Sequence, residues 1–343
     1  MQKFFRENGA KLISALVIFI MLLVCFANAD NGEIEEAVTD SKRYKSTTEW
    51  MQEINDDTPI SSISIPGTHD SAAEYIFPGH FLKTQGMSIA DQLTNGFRYL
   101  DIRLAVESDK NGDYLGFVHN FGKCRARSNI FSEQIRLDGV LDQIYAFLKA
   151  HPSETVLFCV KDEGKKDNAK EFEELLFKSI NQNKSSWYLY DTIPKLSRVR
   201  GKIVLLRRFS DAMNYGNTGL SFNWNDQGQK TSVDLPYVMY SLNDSDKLWV
   251  QDRYKYNVGQ KRDAFLDMLR NVQADDHTFT LNFLSTAGDG TFGHPKGYAE
   301  VLNGILMTTN LAPQTSYGTI VVDFGTREIA QHIYMSNFQA NAE

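Results

Sequence analysis

The sequence predicts an α/β protein built as a single irregular (β/α) barrel. Strand-like and helix-like runs alternate along most of residues 47–343, the order that a parallel sheet produces. About seven strand-like runs occur, which suits a barrel better than an open sheet. No internal sequence repeat and no break in composition marks a second domain within this range.

Residues 1–29 have the pattern of a secretory signal peptide. Three basic residues precede an apolar run over residues 12–26, and Ala27-Asn28-Ala29 then offers a small-x-small cleavage site. The run is too short, and wrongly flanked, for a transmembrane helix. We therefore expect cleavage after Ala29 and a secreted, extracellular protein.

The charge balance argues against nucleic acid as a partner. The full chain has 36 Lys+Arg and 43 Asp+Glu, and loss of residues 1–29 would leave 33 against 42, a net charge of −9. Proteins that bind phosphate backbones usually present a basic face. Residues 30–46 begin acidic and lack apolar periodicity, so we expect a flexible lead-in there.

Two cysteines would remain in the mature chain. Cys124 stands in a basic loop and Cys159 in an apolar strand-like run. Export would permit one disulfide between them, but burial of Cys159 in a strand accounts for that residue equally well.

The first predicted strand covers residues 60–65, where closely spaced isoleucines indicate a buried strand that Pro66-Gly67 ends. His69 and Asp70 follow this stop. A second strand over residues 97–103 alternates and ends on Arg103.

The other predicted elements follow in chain order. They are a helix over 88–93, a hairpin turn at 109–113, a strand over 114–120, a helix over 137–148, a strand over 155–160, a helix over 172–180, a strand over 201–208, a surface excursion over 210–232, a strand over 248–254, a helix over 265–272, a strand over 279–284, a helix over 298–307 and a strand over 318–324.

Polar residues stand at the carboxyl ends of several predicted strands: His69, Arg103, His119, Lys161, Arg208, Asp252 and Asp323. In a parallel barrel these ends share one face, where barrel enzymes place their active sites. Two imidazoles that titrate near neutrality suit a general base and a general acid, and a guanidinium suits a phosphate. The pattern therefore predicts phosphoryl transfer without a metal.

A metal site is the alternative at this face. His69 and Asp70 could hold a divalent ion together with Asp101 and Glu163, although no His-x-x-x-His or Cys-x-x-Cys spacing occurs. If Arg103 points into the pocket, its charge takes the place of the cation that would balance a phosphate. We expect no metal and no other cofactor.

Five motifs, in this order along the chain, closely resemble those of bacterial phosphatidylinositol-specific phospholipase C. The resemblance extends from about Trp50 to Phe324. The motifs are Ile63-Ser64-Ile65-Pro66-Gly67-Thr68-His69-Asp70-Ser71, Asp101-Ile102-Arg103, Pro152-Ser153-Glu154-Thr155, Gly201-Lys202-Ile203-Val204-Leu205-Leu206-Arg207-Arg208 and Val250-Gln251-Asp252-Arg253-Tyr254.

The resemblance implies a single distorted (β/α) barrel of the TIM type. It implies cleavage of phosphatidylinositol into diacylglycerol and inositol 1,2-cyclic phosphate, with no metal because Arg103 stands where calcium-dependent relatives bind their ion. The expected partner is a membrane surface, contacted transiently, and a monomer is the default state.

The resemblance also implies roles for individual residues. His69 would be the general base, oriented by Asp323, and His119 the general acid. Arg103 would bind a phosphate oxygen, and Asp70 would assist near the leaving group.

The inositol ring would be bound by a second set of residues. Lys161, Arg208 and Asp252 are similar to the family's hydrogen-bonding partners for the ring hydroxyls, and Tyr254 to the aromatic on which the ring rests.

One position departs from the family pattern. A glycine usually follows the acid histidine directly, whereas Asn120 and Phe121 stand here before Gly122. Apolar candidates for the membrane-facing rim are Phe77, Phe81 and Phe292.

Two other readings fit the sequence. One is a phosphodiesterase of the same fold acting on glycosylphosphatidylinositol or another phosphodiester. The other is a non-catalytic lipid-binding barrel, which would require a missing catalytic group.

Overall fold

The computed structural model describes residues 45–339, apart from residues 165, 291 and 292. The predicted signal peptide and most of the predicted lead-in, residues 1–44, lie outside these residues. The described residues belong to one compact unit. In the described part of the chain, no helix is both long and apolar enough to cross a bilayer.

Twelve strands occur in the described residues. They are β1 (Ile65–Thr68), β2 (Tyr99–Asp109), β3 (Gly112–His119), β4 (Gly122–Lys123), β5 (Val156–Asp162), β6 (Trp187–Tyr188), β7 (Ile203–Arg208), β8 (Leu220–Ser221), β9 (Val238–Ser241), β10 (Lys247–Gln251), β11 (Thr278–Phe283) and β12 (Thr319–Val322).

Eight α-helices and several short 3₁₀ turns connect the strands that the structure describes. The helices are α1 (Gly79–Leu82), α2 (Ile89–Thr94), α3 (Leu137–Ala150), α4 (Ala169–Gln182), α5 (Leu196–Val199), α6 (Val258–Asn271), α7 (Pro295–Thr308) and α8 (Arg327–Tyr334).

The strands form a mostly parallel sheet with β1 near its middle. The order of neighbours is β6-β7-β5-β2-β1-β12-β11-β10-β9. Only β9 is antiparallel to its neighbour along this path. Off the path, β8 pairs parallel to β7. Strand β3 pairs antiparallel to the carboxyl-terminal half of β2, and β4 pairs antiparallel to β3.

The sheet curls into a distorted barrel whose last side is closed by side chains. No backbone pairing joins β8 to β10 among the described residues. Instead Phe222, just after β8, packs edge-on against Phe279 of β11 with ring centroids 5.1 Å apart. One interior cluster contains buried residues from both sides of this gap, including Leu220 and Leu248. The α/β fold class predicted from the sequence is confirmed.

Helices cover the outside of the barrel. The amphipathic faces of α3 and α4 pack on β2, β5 and β7 in one buried cluster. A second cluster packs α6, α7 and α8 against β12. Burial on both faces explains why β5 and β7 contain continuous apolar runs in the sequence.

The first strand differs from its prediction. Residues Ile60–Ser62 form a 3₁₀ turn, and Pro66 and Gly67 lie within β1 rather than ending it. Pro66 has no N–H to donate. Its backbone faces β2, but β2 begins only beside Gly67, so no hydrogen bond between the strands is lost. The Pro66 carbonyl still accepts a hydrogen bond from the backbone N–H of Arg98 at 3.0 Å.

Other boundaries also moved. β2 continues six residues beyond Arg103 because it pairs with β3 as a hairpin out to Asp109, so Arg103 is not at a strand end. β10 ends at Gln251, before Asp252. Helix α8 was not predicted. Cys124 and Cys159 are both free and buried, so the possible disulfide between them does not form.

Candidate active site

The carboxyl ends of β1 and β12, the middle of β2 and the end of β3 bring five predicted residues together. His69 and Asp70 follow β1, and Asp323 follows β12, its parallel neighbour. Arg103 projects from β2, and His119 is the last residue of β3. The hairpin partner β3 therefore returns the chain to the face on which the parallel strands end.

His69 is held between two carboxylates. Its Nδ1 lies 2.8 Å from Oδ1 of Asp323, and its Nε2 lies 3.1 Å from Oδ2 of Asp70. Burial of the ring lowers the pKa of His69, but the two carboxylates outweigh burial and raise the pKa to about 9. A carboxylate on Nδ1 keeps the proton on that atom, so Nε2 is the nitrogen that a neutral His69 offers as a base.

His119 faces the same carboxylate from the other side. Its Nε2 lies 3.1 Å from Oδ2 of Asp70, while its Nδ1 lies 2.8 Å from the backbone carbonyl of Leu82. A carbonyl can only accept, so Nδ1 of His119 carries a proton and Nε2 faces the pocket. The His69 and His119 ring centroids are 6.0 Å apart, and Asp70 therefore bridges two imidazoles.

Arg103 connects this pair to three carboxylates. Its Nε lies 2.8 Å from Asp70, one terminal nitrogen lies 3.0 Å from Asp101, and the other lies 3.1 Å from Glu163. Burial raises the pKa of Asp101, but the charges of Arg103 and then His69 outweigh burial and hold this pKa below its usual value.

The ligand atoms of His69, Asp70 and Asp101 lie within 4.8 Å of one another, so they form a geometric candidate for a metal site. The donor set fits a divalent ion poorly. The Arg103 guanidinium already contacts both carboxylates and Glu163, and it would repel an ion placed among them.

Four more predicted residues form a second cluster beside the first. Arg208 Nη2 lies 3.8 Å from Asp252, at the outer limit of an ion pair. Lys161 pairs with Glu163, which also holds Arg103, and thereby joins the two clusters.

Tyr254 is joined to this second cluster through the backbone, since its N–H donates to the Asp252 carbonyl at 2.9 Å. Its hydroxyl donates to the carboxylate of Asp226 at 2.5 Å. Partial burial, and then Asp226, raise the pKa of Tyr254, so its hydroxyl stays protonated.

Trp224 is a site residue that the sequence reasoning missed. The guanidinium of Arg208 stacks 3.4 Å from its ring centroid, and its indole N–H donates to Asp252 at 3.0 Å. Its ring also contacts Phe283, whose ring meets the edge of His69. The one available signal was a large aromatic inside an excursion rich in Asn, Gly and Ser.

The predicted rim residues are partly exposed where they can be described. Phe77 is 40% exposed and Phe81 is 38% exposed, while Phe292 lies outside the described residues. Phe121, two residues after His119, is 79% exposed and was not predicted as a rim residue. Asn120 between them has φ of 52°, so the chain turns sharply after His119.

Known proteins resemble this chain over most of its length. Residues 58–209 match the family model described as phosphatidylinositol-specific phospholipase C, X domain. The chain is 27% identical over 354 residues to the 1-phosphatidylinositol phosphodiesterase of Staphylococcus aureus NCTC 8325, covering 95% of this chain and 99% of that protein. It is 29% identical over 315 residues to the protein of the same name from Listeria monocytogenes EGD-e, covering 86% and 87%.

Solved structures show the same relationship. A phosphatidylinositol-specific phospholipase C from S. aureus matches with a TM-score of 0.71 and 26% identity, covering 86% of this chain and 99% of that one. The enzyme from L. monocytogenes matches with a TM-score of 0.67 and 25% identity, covering 86% and 100%.

The fold and these relatives define the class of protein: an enzyme that acts on phosphoric diesters. The sequence and structure matches, which cover nearly the whole chain, narrow this class to one family. The chain belongs to the bacterial phosphatidylinositol-specific phospholipases C.

Proposed function

We propose that this enzyme cleaves phosphatidylinositol to diacylglycerol and inositol 1,2-cyclic phosphate without a metal. One observation carries the proposal. The Nε2 atoms of His69 and His119 both lie 3.1 Å from one carboxylate oxygen of Asp70, beside the guanidinium of Arg103. A phosphate that entered between the rings would meet a base, an acid and a fixed cation at once. The names of the S. aureus and L. monocytogenes relatives support the same substrate.

His69 would act as the base. Its Nε2 takes the proton from the inositol 2-hydroxyl, whose oxygen attacks phosphorus and forms the cyclic diester. Asp323 keeps the other ring nitrogen protonated and stabilises the imidazolium that results.

His119 would act as the acid. As the bond from phosphorus to the glyceryl oxygen breaks, Nε2 of His119 gives its proton to that oxygen, and diacylglycerol leaves. In the free enzyme Oδ2 of Asp70 lies 3.1 Å from this nitrogen and would orient the ring toward the place where the leaving group arrives. The proton that His69 gained and the proton that His119 lost are exchanged through solvent before the next turnover.

Arg103 would stabilise the phosphate. Its three carboxylate partners fix the guanidinium in one orientation, so little reorganisation is needed as charge develops on a non-bridging oxygen. The two Nε2 atoms and Arg103 define the three points that a single phosphate must reach.

The second cluster would bind the inositol ring. Lys161, Arg208 and Asp252 offer donors and an acceptor to hydroxyls, and Tyr254 offers a ring face. Trp224 orients two of these groups, since it stacks under Arg208 and donates to Asp252.

The first test is cleavage of phosphatidylinositol in excess chelator with identification of the products. We expect full activity and a cyclic inositol phosphate as the primary product, because Arg103 supplies the positive charge. Loss of activity that calcium restores would contradict the metal-free mechanism, and a linear primary product would contradict the role of the 2-hydroxyl as nucleophile.

A second candidate substrate is a phosphatidylinositol that carries a substituent on its ring. A cavity of about 580 Å³ adjoins Arg208 and is lined also by Asp162, Ser210 and Asn223. Its polar residues offer hydrogen bonds to a sugar, and Phe209 and Ala169 add apolar surface to the lining. Comparison of cleavage rates on phosphatidylinositol and on a glycosylphosphatidylinositol would decide between an enzyme restricted to the bare ring and one that accepts both.

We also propose that the enzyme is secreted and works as a monomer at a membrane surface. The basic, apolar and small-residue pattern of residues 1–29 supports export. The half-exposed Phe77 and Phe81 support transient contact with lipid. Amino-terminal sequencing of protein recovered from culture medium should begin after Ala29.

A further inference from the structure

The pairing of β1 with β12 brings His69 to Asp323, although 254 residues separate them in the chain. The last rung of this ladder runs from the His69 N–H to the Val322 carbonyl at 3.0 Å. In a regular parallel ladder the next rung would run from the Phe324 N–H to the His69 carbonyl. That rung is replaced here, at the point where the paired residues leave the sheet.

Thr84 and Gln85 take the place of the missing rung; we call them the Thr84–Gln85 clamp. The Phe324 N–H donates to the Thr84 carbonyl at 2.6 Å, and the Gln85 side-chain amide donates to the His69 carbonyl at 2.7 Å. The same amide nitrogen lies 3.1 Å from the Val322 carbonyl. One side chain therefore bonds the last strand-end groups of both β1 and β12.

The clamp also holds the residues that follow. The Thr84 hydroxyl donates to the Asp70 carbonyl at 3.1 Å, and the Gly325 N–H lies 3.4 Å from the Gln85 side-chain oxygen. Asp70 has φ of 42° and Phe324 has φ of 48°, a region that non-glycine residues enter only when the surroundings hold them there. Both turns thus depend on contacts from outside their own strands.

Gln85 is fully buried, so its amide is not accessible from solvent. A glutamine in such a place must satisfy its donors and acceptor or destabilise the fold, and here every bond goes to the two segments that carry the base and its partner. We propose that Gln85 is a positioning residue that keeps the His69 imidazole against the Asp323 carboxylate. This inference deepens the proposed function, since it concerns the base of the same reaction.

The test is Gln85→Met, which keeps the length of the side chain and removes its donors and acceptor. We expect kcat on a soluble short-chain phosphatidylinositol to fall by about tenfold to a hundredfold, with KM changed less than about threefold, because misplacement of a catalytic group slows chemistry more than binding. In an NMR titration the His69 pKa should fall toward that of an ordinary histidine.

A structural effect is separated from positioning by the Asp323→Asn background. If Gln85 acts through the His69–Asp323 pair, Gln85→Met should change kcat by less than about threefold once Asp323 is replaced. An equal loss of kcat in both backgrounds, or an unchanged His69 pKa in the single variant, would overturn the inference.

Asn337→Leu is the matched control. The Asn337 side chain bridges the backbone at the other end of β1, where it accepts from the Ser64 N–H and donates to the Ser64 carbonyl. It should lower stability without moving the His69 pKa.

If Gln85→Met does not fold, Gln85→Asn, which retracts the amide by one methylene, is subjected to the same two measurements. If the unmodified enzyme fails to cleave phosphatidylinositol, the proposed function falls, while the NMR titration still decides whether Gln85 positions His69.

Discussion

His69 and His119 share Asp70 but have different environments, and this difference suits the two tasks proposed for them. Nδ1 of His69 faces the charged Asp323, which favours the imidazolium that forms when the ring takes a proton. Nδ1 of His119 faces the neutral carbonyl of Leu82. An imidazolium at His69, the proposed base, would therefore be stabilised at Nδ1 by a full negative charge that His119 lacks at the same position.

We predict that Asp323→Asn moves the ascending limb of the profile of kcat/KM against pH to lower pH. Burial lowers the pKa of His69, and Asp70 and Asp323 together raise it to about 9. Loss of one carboxylate lowers this pKa, so the neutral base becomes available at lower pH. The maximal rate should fall by at least about tenfold, because the imidazolium loses its partner. A limb that stays in place would mean that another group is the base.

We predict that His119→Ala lowers kcat on phosphatidylinositol by about a hundredfold or more, the usual contribution of a general acid. On a nitrophenyl ester of inositol phosphate the loss should be much smaller, because that leaving group needs no proton. His69→Ala should slow both substrates, since each requires the 2-hydroxyl to lose its proton. Near-normal turnover of phosphatidylinositol by His119→Ala would show that another residue is the acid.

At the scale of elements, β1 and β2 approach so closely that the contact depends on a glycine. Gly67 pairs with Tyr99, and a Cβ atom at Gly67 would lie 2.8 Å from Cδ1 of Tyr99. The Tyr99 ring is fully buried in the barrel interior and has no room to retreat. This contact lies two residues before His69, so it also sets where His69 enters the candidate site.

We predict that Gly67→Ala destabilises the enzyme by about 1–3 kcal/mol, as expected when atoms are added to a packed core. Urea denaturation measures the change. Gly79→Ala in α1 is the matched control, since a Cβ there meets nothing within 4 Å and its stability should hardly change. Equal stability of the two variants would mean that β1 and β2 separate easily.

Two buried residues that can carry positive charge, His69 and Lys261, give the stability of the fold opposite dependences on pH. The raised pKa of His69 means that its stabilising contribution is complete below about pH 6.5 and is lost as pH rises through about 9. Lys261 of α6 is fully buried, with its ammonium nitrogen 2.8 Å from the side-chain oxygen of Gln251. Burial, only partly offset by Asp252 and Asp323, lowers the pKa of Lys261 to about 7.

The sign for Lys261 is the reverse of that for His69. Above about pH 7 the unfolded chain holds a proton on this lysine that the folded enzyme does not. Folding then has to release that proton, and the free energy that this release requires falls as pH rises toward 10.5. Between about pH 7 and pH 9 the two residues oppose each other. The intact enzyme should therefore show a shallow dependence of stability on pH in this window.

We predict that Lys261→Met makes stability fall more steeply from pH 7 to pH 9 than in the unmodified enzyme, because the opposing contribution of Lys261 is then absent. Urea midpoints measured at several pH values test this. Arg262→Met removes a cation from the adjacent, half-exposed position and should leave the slope unchanged. Parallel curves for Lys261→Met and the unmodified enzyme would contradict the prediction.

By itself the sequence determined the α/β class, the family and the residues from which the site is built. These properties are readable because burial imposes a period on the side chains, and because the motifs around His69, Arg103 and Arg208 keep their order along the chain. The roles assigned to the site residues remain predictions.

Tertiary structure alone decided how these residues meet. No local pattern shows that β2 runs on past Arg103, that Trp224 stacks under Arg208, or that Gln85 replaces a rung between β1 and β12. Each of these features depends on which strands are neighbours and in what register. Distances between residues far apart in the chain follow from that pairing of strands. The periodicity of side chains along one segment does not predict which strands pair or in what register.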